Sequence, residues 1–297
     1  MASMRQIRSR IRTAKNIQQI TKAMKMVAAA RLKKAQDRVQ AARPYSEKMK
    51  DVMASLSRAG AGNVVHPLLD VREPVRIGLL VISADRGLCG SYATNLLKKT
   101  VEVLRTVGPG GGPIAPENVR VLVVGRKGQT FFRRRSYPVV AEYPINMTGT
   151  TFAEAQEIAQ KARELYISGE IDVLYLVYTK FFSALTQRPM AIQLLPVQAD
   201  EATGEAMASG GEDYLFEPDA TSLFERMLPR SVDTLIYQSL LEAVASEHGS
   251  RMTAMSSATD NAGKMISSLT LAANRARQAA ITKEIAEIVG GAEAIKS

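Results

Sequence analysis

Residues 4–57 contain one proline, Pro44, and no glycine. A stretch that long without a breaker favours a single continuous helix. Apolar residues at Ile7, Ile11, Ala14, Ile17, Ile20, Met24, Val27 and Ala30 recur in steps of three and four, a helical stripe close to a heptad. Ser3 is placed to cap its start and Pro44 to kink or interrupt it. At 1.5 Å per residue, about 50 residues make a rod of roughly 75–80 Å. No globular domain of this size buries such a rod alone, so the stripe requires a partner helix.

The other end of the chain offers one. Ser222 to Ile288 holds one proline, Pro229, and few glycines. A second stripe runs through Val232, Ile236, Leu240, Val244, Met252, Met255, Met265, Leu269, Ala272, Ala276, Ala280, Ile285 and Ile288. The chain must return to where it began, so the two rods are expected to pack antiparallel as a coiled coil. Gly290 and Gly291 are expected to stop the second helix.

The middle has a different rhythm. Val75–Ala84 and Val119–Val124 are continuous apolar runs of buried-strand type. Gly90–Val107 and Thr151–Tyr166 carry helical spacing, Gly108–Asn118 reads as a loop, and Asp172–Tyr178 and Pro189–Val197 read as further strands. Strands alternating with helices predict a mostly parallel α/β sheet. Gln198–Asp219, with seven acids and no base, is expected to be a mobile loop. The expected organisation is a shaft helix over 1–58, a linker over 59–74, an α/β domain over 75–218 and a second shaft helix over 219–297.

Charge separates the same regions. Residues 1–50 hold 14 Lys and Arg against Asp37 and Glu47, whereas residues 230–297 hold seven bases and seven acids. The excess therefore belongs to the first segment, which favours an anionic partner. Its acid-poor start also fits a targeting peptide, but the helical pattern runs past residue 50 without a break. A single cysteine, Cys89, excludes an internal disulfide and a thiolate metal cage. No apolar run reaches the length of a membrane helix.

No catalytic constellation emerges. Gly108–Gly112 lacks the Lys-Ser/Thr of a phosphate loop. Val124–Gly128 could cradle an anion at a helix start, although an ordinary turn fits as well. Asp85, Arg86, Gly87, Cys89 and Gly90 form a tight strand-to-helix turn by composition; Cys89 has no histidine placed to activate it. Two alternatives remain from the residues alone: a nucleic-acid-binding coiled coil, supported by the basic segment, and a nucleotide-dependent enzyme, supported only by the glycine loops. The basic segment lacks the aromatics that interleave in single-strand binders.

Ile20–Ala30 (ITKAMKMVAAA), Asp85–Gly90 (DRGLCG), Thr259–Gly263 (TDNAG) and Ile281–Ala292 (ITKEIAEIVGGA) resemble the gamma subunit of F-type ATP synthases, bacterial type. The matches run in order from about residue 4 to 294. The resemblance implies an antiparallel coiled coil of both termini with a Rossmann-like α/β middle domain. It implies a non-catalytic central rotor stalk that binds no cofactor and couples proton-driven rotation of a c-ring to ATP synthesis or hydrolysis on beta subunits. The partners implied are the alpha3beta3 hexamer, the epsilon subunit and the c-ring of Fo, with no nucleic acid. Membrane association is implied only through the complex, on the cytoplasmic side of a bacterial plasma membrane, and no presequence is expected.

By position in the motifs, Lys22, Met24, Lys25, Arg31, Lys33 and Lys34 would face an acidic loop of beta. Arg275, Arg277, Gln278, Thr282, Glu284 and Glu287 would form a second contact cluster. The apolar tip near Ile288, Val289 and Ile295 would run in a hydrophobic sleeve. Plastid relatives carry an inserted cysteine pair, which Cys89 alone cannot supply. The acidic loop 198–219 is a candidate contact to the c-ring or epsilon.

Overall fold

The computed structural model describes residues 4–59, 65–197, 216–217 and 219–296; of Pro109 and residues 290–296 it describes only the backbone. The expected Ser3 cap, nearly all of the acidic segment 198–219 and the Ile295 side chain lie outside the described residues. The chain divides into two compact units, Ala29–Arg251 and Met1–Ala28 with Met252–Ser297. The first helix, α1 (Met4–Arg58), and the last, α5 (Ala220–Lys296), each contribute to both units.

In the Ala29–Arg251 unit a five-stranded sheet is built from β1 (Ile77–Ile82), β2 (Val119–Val124), β3 (Val139–Tyr143), β4 (Val173–Phe181) and β5 (Gln187–Leu195). Its order is β3-β2-β1-β4-β5. β1 pairs in parallel with β2 and β4, and β2 with β3; β5 returns antiparallel beside β4. All six residues of β1 are buried, as a central parallel strand covered on both faces requires. Gly78 lets it approach its neighbour: a Cβ there would lie 2.7 Å from Ile171 Cδ1. Pro189 is accommodated because β5 is an edge strand.

Helices α2 (Tyr92–Thr106), α3 (Arg126–Arg133) and α4 (Phe152–Ile167) complete the layers. Thr151 starts α4 with a reciprocal cap: Glu154 N–H donates to Thr151 Oγ1 and Thr151 N–H to Glu154 Oε2. The Gly108–Asn118 loop consists of two short 3₁₀ turns, and Ile114 ties it down by donating its N–H to Leu104 O at 3.0 Å. Within this unit Met49, Met53 and Leu56 of α1 pack on Phe224 and Leu228 of α5. Pro44 lies inside α1 without ending it. Asp219 caps α5 by accepting from Ser222 N–H at 2.8 Å, which holds its carboxyl below the usual range.

In the other unit the two helices pair antiparallel. Thr259 Oγ1 donates to Thr21 Oγ1 at 2.8 Å, and Lys25 Nζ donates to Ser256 Oγ at 2.9 Å. Gln18 Nε2 lies 3.1 Å from where a Cβ on Gly263 would stand. As the number rises along one helix it falls along the other. The buried positions of α1 here are Ile7, Ala14, Thr21 and Ala28, an unbroken spacing of seven. Facing them, Met255 and Ala262 are buried, with Ile266, Leu269, Ala273 and Ala276 half-buried.

Three expectations are corrected. The α1 seam passes through Gln18 and Thr21, while Ile17, Ile20 and Val27 are exposed at 48%, 58% and 52%. Two successive steps of three rotate a helical stripe by about 120° off its seam, so Ile17 and Ile20 leave the face that Ile7 and Ala14 define. On α5 Met265 and Ala272 likewise lie outside the seam, and Ala280, Ile285 and Ile288 are exposed beyond its last half-buried position, Ala276. Finally, Gly290 and Gly291 do not stop α5, which continues to Lys296. A glycine costs a helix about 1 kcal/mol relative to alanine, a penalty rather than a stop, and no proline follows.

Candidate functional site

Open parallel sheets bind ligands where strand order reverses, outside the carboxyl ends of the strands. Here that place lies between β1 and β4, and the chain fills it with its own last helix. From Ser239 to Gly249 every residue of α5 is buried. Tyr92 Oη donates to Ala243 O at 3.2 Å, and Ser246 Oγ donates to Thr179 O at 3.0 Å. Ser250 Oγ donates to Cys89 O at 2.7 Å, and Arg251 Nη2 reaches Gly87 O at 3.4 Å.

The receiving surface is the turn that follows β1. Leu88 and Gly90 take positive φ, 62° and 58°, which aims the Gly87 and Cys89 carbonyls at α5. Leu88 is strained as well as 64% exposed. Cys89 is buried and free. Burial, then the charge of Glu247, raises its thiol above the usual range, the reverse of what a nucleophile needs. Glu247 is buried and paired with Arg251. Burial raises its carboxyl, and the guanidinium pulls it back.

The anion-cradle reading of Val124–Gly128 fails on its donors. Arg126 N–H goes to Asp85 Oδ1, Lys127 N–H to Ala84 O and Gly128 N–H to Ser83 Oγ, each at 2.9 Å. The glycines serve packing. At Gly125, with φ of 91°, a Cβ would stand 2.8 Å from Ser83 O; at Gly128 it would stand 2.6 Å from Val123 Cγ2. Among the described residues no cluster of His, Cys, Asp and Glu could hold a metal ion.

A second anchor joins both long helices within this unit. The Tyr143–Thr151 loop accepts from Arg38 of α1 at Thr148 O, 2.7 Å. It accepts from His248 Nε2 of α5 at Met147 O, 3.2 Å. Sequence reasoning missed Ser246, Glu247, His248, Ser250 and Arg251. The signal was a run of polar residues, Ser246 to Arg251, interrupting an apolar stripe where a surface-facing arc was expected.

The proposed contact residues stand on open helix faces. Lys22, Lys25, Arg31, Lys33 and Lys34 are exposed and Met24 half-buried; Lys33 pairs with Asp37 at 2.9 Å. Arg275, Arg277, Gln278, Thr282, Glu284 and Glu287 are all exposed. Within the unit that holds Lys22 and Lys25, these two do not stand level with the second cluster. Thr21 is level with Thr259, and Arg275 lies 16 residues farther on, about 24 Å along the helix. From Arg277 to Val289 every side chain is exposed, including Ile281, Ile285, Ile288 and Val289 at 48%, 56%, 71% and 60%. The cause is length. Met4 begins α1 17 residues before Thr21, and 17 residues beyond Thr259 is Ala276, the last half-buried position.

A family model described as ATP synthase matches residues 3–295. An ATP synthase gamma chain of Heliobacterium modesticaldum is 49% identical over 299 residues, covering 99% of this chain and 100% of that one. The chain belongs to the ATP synthase gamma chain family. The gamma chain of Desulfitobacterium hafniense is 48% identical over 298 residues, covering 100% of both. The fold is shared with chains of solved ATP synthases at greater distance in sequence. A chain of the Euglena gracilis mitochondrial ATP synthase matches with a TM-score of 0.69 at 18% identity, over 98% of this chain and 94% of that one. A chain from the central stalk and c-ring of the Tetrahymena thermophila mitochondrial enzyme matches with a TM-score of 0.58 at 23% identity, over 80% and 99%. Paired terminal helices with a mostly parallel α/β sheet are therefore a fold shared with chains of solved ATP synthases.

Proposed function

We propose that this gamma chain is the non-catalytic rotor of an F-type ATP synthase, turned by the c-ring and turning inside the alpha3beta3 hexamer. The observation that carries the reading is the lone end of α5. Among the described residues nothing in this chain covers α5 from Arg277 to Val289, and its exposed isoleucines fit an apolar sleeve supplied by other subunits. The exposed Ile17, Ile20 and Val27, beside Lys22 and Lys25, extend the unpartnered surface on α1. Epsilon and the c-ring are the partners proposed for the α/β unit, and the cytoplasmic side of a bacterial plasma membrane is the proposed location. Among the described residues no helix is long and apolar enough to cross a membrane.

A shaft with different residues on its different faces presents each beta subunit with a different contact. Those differences bias each catalytic site between open and closed states, so rotation becomes a forced population shift. Exposed ion pairs from Lys22, Lys25, Arg275 or Arg277 would each be worth about 0–1 kcal/mol. Weak pairs suit this use, because a deep minimum at one angle would stall the turn. Torque must also pass from sheet to shaft. Burial of Ser239–Gly249 in the sheet crevice, with Ser250 and Arg251 on the turn after β1, supports that route.

The test is reconstitution with alpha and beta subunits of the same organism, read by native mass and ATPase rate. A complex of three alpha, three beta and one copy of this chain is expected, with activity that depends on it. No complex, with tight salt-sensitive nucleic-acid binding instead, would return the basic helix to the alternative reading.

A further inference from the structure

Residues 126–135, which are α3 and the two residues after it, hold five bases and no acid. Arg126, Lys127, Arg133, Arg134 and Arg135 are all exposed. Gly128 and Phe132 are buried on the inner side of α3. Arg126, Lys127, Thr130, Arg133 and Arg134 are related by steps of three and four, which puts them together on its outer face. α3 joins β2 to β3, so this face stands at the β3 edge of the sheet, across from β5.

The chain itself answers little of this charge. Arg133 pairs with Glu142 at 2.8 Å. Among the described residues no carboxylate pairs with the side chain of Arg126, Lys127, Arg134 or Arg135. The Arg135 guanidinium lies over the Phe131 ring, 3.8 Å from the centroid, which holds it in place without neutralising it. Nor do all of these bases serve the helix. Arg126 and Lys127 oppose the helix dipole in a first turn that has no acid. Like charges a turn apart destabilise a helix, and an external anion relieves that repulsion. Phe131 and Tyr137 pack against the core of the sheet, so neither is free to stack on the bases of a single strand. Clustered bases on the outside of an amphipathic helix instead suit the phosphates of an anionic bilayer.

We propose that the outer face of α3 rests on anionic phospholipid headgroups, a direct contact with the bilayer in addition to association through the complex. The inference rests on the rotor reading for the nearness of a membrane. Weak contacts to mobile headgroups set no preferred angle, so they are compatible with turning. Flotation of the full chain with vesicles tests it. Vesicles of phosphatidylcholine with about a third phosphatidylglycerol should bind at least about tenfold more tightly than phosphatidylcholine alone, and raised salt should release them. Lys127→Glu with Arg134→Glu, both exposed, should weaken that binding at least about tenfold. The α1 bases are the competing source, so Arg8→Glu with Arg12→Glu is the matched variant and should cost less. Equal binding to the two kinds of vesicle, or a loss confined to the α1 variant, would overturn the proposal. So would tighter binding of a single-stranded oligonucleotide than of the anionic vesicles through Lys127 and Arg134, which would assign the face to nucleic acid. The comparison of vesicles uses the unaltered chain and holds whether or not either variant folds. It needs no alpha or beta subunit, so its failure and a failure of reconstitution are separate results.

Discussion

At Gly249 a side chain would press on the β4–β5 hairpin: a Cβ there would stand 3.1 Å from Gln187 Nε2 and 3.3 Å from Ala184 O. Gly249→Val should therefore destabilise the chain by about 1–3 kcal/mol, measured by urea unfolding. Gly263 is the contrasting case, because only the end of Gln18 lies near its Cβ position, at 3.1 Å. A flexible amide can move aside, so Gly263→Ala should stabilise by about 0.5–1 kcal/mol. Loss of stability in that variant would mean that the helices approach too closely for any side chain. His248 supplies a pH effect. Burial, with the charges of Arg251 and Arg31, holds its imidazole below the usual range, against the pull of the Met147 carbonyl. The unfolded chain then takes up the proton first as pH falls. Stability is full above about pH 6.5 and is lost as pH falls from there toward the lowered folded value. In His248→Gln the fall in melting temperature between about pH 7.5 and 5.5 should be smaller than in the unaltered chain. An equal fall would assign the titration to another group.

Individual elements were legible in the sequence to different degrees. β1 and β2 are continuous apolar runs because both faces are covered, and the helical spacing from Thr151 placed the start of α4 to within a residue. β3 escaped notice, and of α3 only its start, at Val124–Gly128, was considered. β3 is a five-residue edge strand with no fully buried position, and α3 is eight residues long with three bases among them. The existence of the two long helices was plain, but the phase of their seam was not. Thr21, Gln18 and Thr259 occupy core positions that a search for apolar residues passes over. The buried run of α5 was hidden for the opposite reason: Glu242, Glu247 and His248 read as a solvent face until the crevice is seen around them. Pairing that ends at Ala276 gives a direct expectation. A chain ended after Ala276 should unfold within about 1 kcal/mol of the full chain, because the side chains of 277–289 are exposed. A larger loss would show that the lone end of α5 stabilises the chain without any partner.

At the scale of the whole molecule, the residues divide into those that hold the chain together and those left open. Ser246, Glu247, Ser250 and Arg251 belong to the first class and Lys22 and Arg277 to the second, while Lys25 is exposed but also donates to Ser256 across the helix pair. Charge reversal at Lys22 or Arg277 should therefore leave assembly with alpha and beta intact. It should alter turnover, or the ratio of ATP hydrolysed to protons moved, by a factor of about two to five, since each exposed pair is worth at most about 1 kcal/mol. Loss of assembly in step with turnover would place these residues among the structural ones. The most direct measurement is single-molecule rotation in the reconstituted complex, with a probe bead attached through a cysteine placed at the exposed Lys98 of α2 and Cys89 replaced by serine. ATP-driven turning in one direction, with three stops per turn, is the expected result. ATP hydrolysis by a complex whose bead never turns would contradict the rotor assignment.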